Sequence, residues 1–86
     1  MVQVVLKEYL MRLKVAQYDK PKSIRSQVPT LIDLAKAAGV TRQTMSRFVN
    51  NETLGINREI LTSIILELRR YGFDPKIGDL LVIEEE

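Results

Sequence analysis

The 86-residue chain contains no cysteine and no histidine. Without cysteine it can form no disulfide and offers no thiol nucleophile, and without histidine it has no imidazole base. Carboxylates are then the only common metal ligands left. No pair of them has an apolar setting that would raise a carboxyl pKa for acid–base catalysis. The sequence therefore predicts a protein that is not an enzyme and that needs no metal or cofactor.

Tryptophan is also absent, and aromatic residues make up only 6% of a chain that is 45% hydrophobic. The core must therefore be mainly aliphatic. The length suits one domain over residues 1–86, and pairing with a second copy would help so small a core. Long hydrophobic runs are missing too, because Lys7, Glu8, Arg12 and Lys14 interrupt the first segment. We expect a cytoplasmic protein with no membrane contact.

Charge is distributed unevenly although the net charge is only +2. Residues 1–47 carry nine Lys or Arg and three Asp or Glu, whereas residues 48–86 carry four basic and eight acidic residues. A basic half indicates a surface directed at a polyanion. The alternative is chance asymmetry in a short chain.

Hydrophobic spacing and capping residues predict an all-α domain of four main helices, with a fifth short turn near Pro75. The predicted helices span about residues 6–17, 31–38, 42–50 and 58–71. Thr30, Thr41 and Asn57 are the predicted N-caps. Two β-rich runs lie at the ends of the chain, and we expect them to pair as a small two-stranded antiparallel ribbon. Residues 17–29, bracketed by Pro21 and Pro29, are predicted to be a loop or a loosely ordered insertion.

Residues 30–50 meet the requirements of a helix-turn-helix. Gly39 can adopt the positive φ that the turn needs, and the small Ala35 and Ala38 allow the two helices to approach. Met45 and Phe48 face inward from the second helix. The region therefore predicts two helices that cross through a tight turn.

The outer face of that second helix is polar and free of acidic residues. Its members follow one another at helical spacing: Arg42, Gln43, Ser46, Arg47 and Asn50. Arginine can bridge O6 and N7 of guanine, and glutamine or asparagine can bridge N6 and N7 of adenine. This face predicts contact with base edges in the major groove of double-stranded DNA.

The stretch LAKAAGVTRQTMSRFVNN resembles the lambda-repressor and Cro-like helix-turn-helix family, often called the XRE family, whose signature is similar to LA…xGVSxxTISRxxNG. The later segments NNETLGINREILTSIILELRRYGFDP and IGDLLVIEEE resemble the rest of such a domain. They are most similar to a small single-domain subset that ends in a GDLLEY-like strand. The resemblance implies a compact four- to five-helix lambda-repressor-like DNA-binding domain.

The resemblance also implies roles for individual residues. Arg42, Gln43 and Arg47, with Ser46 next, would read bases. Phosphate contacts or positioning would come from a second set: Thr30, Lys36, Thr41, Thr44 and Asn50. Such domains usually act as homodimers on two-fold symmetric sites. We therefore predict a sequence-specific transcriptional regulator, a repressor that occupies a promoter.

Two departures from the family pattern keep other functions open. Leu31 stands where the family commonly has a glutamine that contacts phosphate, and the connection over residues 17–29 is unusually long. Its Lys20, Lys22 and Arg25 either contact the DNA backbone or are simply solvated. The alternatives are an antitoxin that binds a toxin partner and represses its own operon, and a protein-binding adaptor without DNA affinity.

Overall fold

The computed structural model describes residues 2–52 and 56–83. Five α-helices and one two-stranded antiparallel sheet make up its regular structure, as the sequence predicts. In chain order the elements are β1 (Val2–Val4), α1 (Leu6–Tyr18), α2 (Leu31–Ala38), α3 (Arg42–Val49), α4 (Arg58–Arg70), α5 (Ile77–Leu80) and β2 (Leu81–Ile83). Within the described ranges, no helix combines the length and the apolar composition needed to cross a bilayer.

Local signals determine the ends of α2 and α3. The Thr30 hydroxyl accepts a hydrogen bond from the N–H of Asp33, and the Asp33 carboxylate accepts one from the N–H of Thr30 (2.9 Å), which completes a capping box. Gly39 ends α2 at φ +69°, in the left-handed region that favours glycine. Thr41 then caps α3 by accepting from the N–H of Thr44. Two predicted helices and the turn between them are thereby confirmed.

The ends of α4 follow the same logic. The Asn57 side chain accepts from two backbone N–H groups of the first turn, each at 3.0 Å. At the other end Gly72 has φ +98°, and Phe73 donates its N–H to the C=O of Leu68. This is the Schellman arrangement, in which the residue after the glycine also packs on the helix. Phe73 accordingly lies against the core.

The capping box of α2 predicts how the stability of the protein changes at low pH. Hydrogen bonds from the backbone N–H and then the hydroxyl of Thr30 lower the pKa of Asp33 from its ordinary 3.8. A lowered folded-state pKa means that this stabilisation is complete above the unfolded-state value and is lost as pH falls through the folded-state value. In thermal melts from pH 7 to pH 2, the melting temperature of wild type should therefore fall by an additional increment below about pH 3.8. Asp33→Asn, whose side chain cannot titrate, should not show this additional fall. Parallel curves for the two proteins would contradict the prediction.

The buried side chains form one cluster, to which every α-helix and β1 contribute. Helix α2 lies at its centre, because it packs against both α3 and α4, while α1 packs against α5. The fully buried members with large side chains are Leu6, Leu34, Met45, Phe48, Ile64, Leu68 and Leu80. Since α3 contributes Met45 and Phe48 to this cluster, its opposite face must point away from the protein.

The two ends of the described chain meet in the ribbon. Strand β1 pairs antiparallel with β2 in the register Val2↔Ile83, Gln3↔Val82 and Val4↔Leu81. Val4 is buried and Leu81 is partly buried against the core, so this face of the ribbon points inward. The predicted ribbon is confirmed.

The insertion differs from its prediction. Helix α1 continues through Tyr18, and Gln17 is buried, with its Oε1 accepting from the N–H of Ser26 (2.8 Å). A single 3-10 turn follows over Lys22–Ile24. Arg25 then folds back and donates to the C=O groups of Tyr18 and Lys20 at the end of α1. The loop therefore begins at residue 19 and not at residue 17, and a glutamine and an arginine side chain tie it to the helix.

Candidate nucleic-acid interface

Helix α3 is divided into a buried and an exposed side. Met45, Phe48 and Val49 are buried in the core. The four predicted base readers, Arg42, Gln43, Ser46 and Arg47, are all exposed. This division follows directly from the spacing of apolar residues along a helix with 3.6 residues per turn.

The four predicted readers line one open groove of about 650 Å³. Glu52, which follows α3 and donates its backbone N–H to the C=O of Arg47 (3.0 Å), completes the lining. The sequence indicated a surface without negative charge, and for α3 itself this holds. The groove nevertheless contains a carboxylate, because the chain turns back after α3. Sequence periodicity could not reveal Glu52, since it lies beyond the helix.

The two arginines of this groove are not engaged by acidic side chains. Among the described residues the ion pairs join Arg69 to Asp74, Arg70 to Glu67 and Lys76 to Asp74, all within α4, α5 and the turn between them. None involves Arg42 or Arg47. The guanidinium groups on α3 are therefore available to an external anion or hydrogen-bond acceptor.

Two threonines mark the start of α3. The Thr41 hydroxyl donates to the Thr44 hydroxyl (2.9 Å) while accepting from the Thr44 backbone. Thr44 accepts in this bond, so its own hydroxyl proton can be donated elsewhere. The first N–H groups of a helix also favour an anion. The predicted phosphate contacts Thr41 and Thr44 thus lie where a phosphate would be stabilised.

The end of α3 contacts a residue that sequence reasoning missed. Lys7 of α1 donates from Nζ to Oδ1 of Asn50 (2.6 Å), and Nδ2 of Asn50 donates to the Ser46 hydroxyl (3.3 Å). Lys7 is exposed and adds a positive charge beside the recognition face. Lys7 and Asn50 are 43 positions apart in sequence, so no local pattern could have paired them.

Asn51 attaches the end of α3 to the ribbon. It adopts φ +60°, in the left-handed region that favours glycine. Its Oδ1 accepts from the N–H of Val4 (2.6 Å), and its Nδ2 donates to the C=O of Val4 (3.1 Å). Asparagine tolerates this backbone conformation better than most residues. Unlike glycine, it also binds a neighbouring strand.

The remaining predicted contacts lie outside the groove. Thr30 is exposed, and its hydroxyl and N–H belong to the capping box of α2. Lys36 is exposed in the last turn of α2. Lys20 and Lys22 are exposed on the insertion. Arg25 uses two of its nitrogens to cap α1, and its guanidinium lies 5.2 Å from the ring centroid of Tyr18.

Nothing in the described residues forms a metal site, since no three acidic side chains lie close enough together to hold an ion. Compared with protein-family models, with curated proteins and with solved structures, the chain matches none of them.

Proposed function

We propose that the protein is a sequence-specific DNA-binding transcriptional regulator that inserts α3 into the major groove. One observation carries the proposal: four exposed side chains able to hydrogen-bond with base edges line a single groove, and neither of its arginines has an acidic partner in the part of the chain that the structure describes. An α-helix fits the major groove, where every base pair presents a distinct pattern of donors and acceptors. The likeness to the lambda-repressor and Cro-like family supports the same proposal.

Affinity and specificity come from different residues in this proposal. Arg42, Gln43, Ser46 and Arg47 contact base edges, while Thr41, Thr44 and Lys7 contact phosphates on either side of α3. Phosphate contacts supply a salt-dependent attraction that is the same for every sequence. Base contacts supply the discrimination. Repression follows when a homodimer occupies a two-fold symmetric site in a promoter.

Glu52 sharpens this discrimination. A carboxylate beside the two arginines repels phosphates and therefore disfavours any pose in which they contact only the backbone. It can also accept a hydrogen bond from N4 of cytosine. The groove thus combines donors for guanine with an acceptor for the base that guanine pairs with.

The test is selection of bound duplexes from a random pool, followed by titration of the selected and a scrambled duplex. A repressor of this kind should return a short two-fold symmetric sequence with half-sites about one helical turn apart. It should bind that sequence about 10³-fold or more tightly than the scrambled one. A pool that stays random after repeated rounds would refute the proposal.

Lys7→Ala should weaken binding to every sequence about equally. Lys7 contributes a charge beside α3, so its removal should lower the slope of log affinity against log salt concentration by about one. Titrations on selected and scrambled duplexes at several salt concentrations measure this. Arg70→Ala, whose side chain pairs with Glu67 on α4, is the matched control and should leave the slope unchanged. A loss confined to the selected duplex would instead make Lys7 a base contact.

An exposed apolar stripe on α1 favours a second candidate function. Met11, Val15 and Tyr18 follow one another at helical spacing and are each more than half exposed. Such a stripe suits a protein partner, as an antitoxin or an adaptor would need. Both forms of this candidate predict that Met11→Glu abolishes partner binding. Only the adaptor also predicts that the protein shows no salt-dependent affinity for DNA.

A further inference from the structure

The hydrogen-bond register of the ribbon determines which backbone groups point outward. Val5 donates its N–H to the C=O of Leu80 (2.7 Å), so these two residues form a hydrogen-bonded pair. Hydrogen-bonded and non-hydrogen-bonded pairs alternate along an antiparallel ladder. Val4↔Leu81 and Val2↔Ile83 are therefore non-hydrogen-bonded pairs, whose N–H and C=O groups point away from the partner strand.

Strand β1 has its outer edge closed. The outward N–H and C=O of Val4 are both bound by the Asn51 side chain, at 2.6 and 3.1 Å. A strand approaching from this side would have to displace Asn51 and leave its amide without partners. Asn51 thus blocks strand addition along β1 at Val4.

Strand β2 has its outer edge open. The outward N–H of Leu81 is donated to the C=O of Ile77 at the end of α5. That leaves the C=O of Leu81 and both the N–H and the C=O of Ile83, and none of these three groups has a partner among the residues that the structure describes. One acceptor and one donor therefore flank Val82 on the open edge.

We propose that a second copy of this chain adds to the open edge of β2, antiparallel and related by a two-fold axis at Val82. In an antiparallel ladder, two opposed residues of a non-hydrogen-bonded pair have one hydrogen bond on each side. Each bond runs from the N–H of the residue that follows one member of the pair to the C=O of the residue that precedes the other member. With Val82 opposite Val82, those bonds run from the Ile83 N–H of each copy to the Leu81 C=O of the other. The open edge of β2 is therefore complementary to the same edge of a second copy in this register.

The same pairing covers the exposed side chains of β2. Ile83 is 73% exposed and Val82 is 43% exposed. Ile83 lies on the same face as Leu81, because side chains alternate along a strand. In the proposed dimer Ile83 of one copy lies opposite Leu81 of the other, and so extends the other copy's core. The two Val82 side chains pack together on the opposite face.

The biological role of this interface rests on the proposed function, because the interface supplies the two-fold symmetry of the proposed homodimer. Asn51 fastens the end of α3 to β1, and β1 pairs with β2. An axis at β2 therefore holds the two α3 helices at a defined separation through three strand spacings and two Asn51 side chains.

The test uses the absence of native cysteine, because a single introduced cysteine reports on one contact only. Opposed residues of a non-hydrogen-bonded pair have Cα atoms about 4.5 Å apart, within the range that a disulfide spans. Val82→Cys should form a covalent dimer with oxidised glutathione at least about tenfold faster than Met11→Cys or Ile77→Cys, which are also exposed. Equal rates for the three variants would overturn the proposal.

Ile83→Pro provides an independent measurement. Proline removes the outward N–H of Ile83 but no bond of the β1–β2 ladder, so circular dichroism should keep the helical spectrum. Sedimentation should show a dimer for wild type and a monomer for this variant; a dimer that persists would overturn the proposal. Should the variant fail to fold, the cysteine rates decide alone.

Neither measurement contains DNA. Fast Val82→Cys cross-linking without DNA selection would refute the proposed function alone, and a two-fold symmetric selected site with slow cross-linking would refute this interface alone.

Discussion

Phe48→Ala is expected to lower the free energy of unfolding by about 3–5 kcal/mol, because it empties the largest fully buried position of the core. Phe48 is 2% exposed and lies on α3, between the exposed reading face and the rest of the core. Domains are commonly stable by only about 5–15 kcal/mol, and an 86-residue one belongs near the lower end. The substitution should therefore bring the protein close to unfolding at 25 °C.

Urea titration followed by far-UV circular dichroism measures this loss, since the chain has no tryptophan to report it by fluorescence. A thermal midpoint lowered by roughly 10 °C or more should accompany it. Met11→Ala, at a position 62% exposed, is the matched control and should change stability by at most about 0.5 kcal/mol. A loss below about 1 kcal/mol for Phe48→Ala would mean that α3 is not packed as described.

Arg42→Ala or Arg47→Ala should weaken binding to the selected duplex by about 1–3 kcal/mol, roughly 5- to 150-fold in Kd. The bidentate contact of a guanidinium with guanine is lost, and no acidic partner in residues 2–52 and 56–83 competes for either arginine. Repeating the selection with each variant should show relaxed preference at one base pair in each half-site. The remaining positions of the site should be unchanged.

Lysine substitutions separate charge from base recognition at the same positions. Arg42→Lys and Arg47→Lys keep the positive charge but lose the planar fork that contacts two acceptors at once. They should keep the salt dependence of wild type and still lose sequence preference. If both alanine variants weakened selected and scrambled duplexes by equal factors, the two arginines would be phosphate contacts.

Much of the fold was predictable because short-range signals determine it. Thr30 with Asp33, Gly39, Asn57 and Gly72 each act on backbone groups within a few residues, so their positions in the sequence mark helix ends closely. The division of α3 into a buried and an exposed side follows from helical periodicity alone. These features need no knowledge of the rest of the chain.

The parts that escaped prediction depend on contacts between distant residues. Lys7 reaches Asn50 over 43 positions, and Asn51 reaches Val4 over 47. Gln17 looked like the start of a polar linker, but a partner nine residues later allows it to be buried. Glu52 lay beyond the helical pattern that identified the groove. Polar side chains that find a partner only in the folded protein leave no periodic trace in a sequence.

The contact of Asn51 with β1 has a consequence for how far the protein can assemble. A ribbon with two open edges could add copies on both sides without limit, and a three-residue strand rich in valine and isoleucine invites such growth. Because Asn51 binds the outward N–H and C=O of Val4, a chain joined through the other edge presents a β1 strand that is closed at Val4. If a second copy adds at β2 as proposed, the two-fold contact ends assembly at a pair. Asn51→Gly would remove the amide that binds the outward N–H and C=O of Val4.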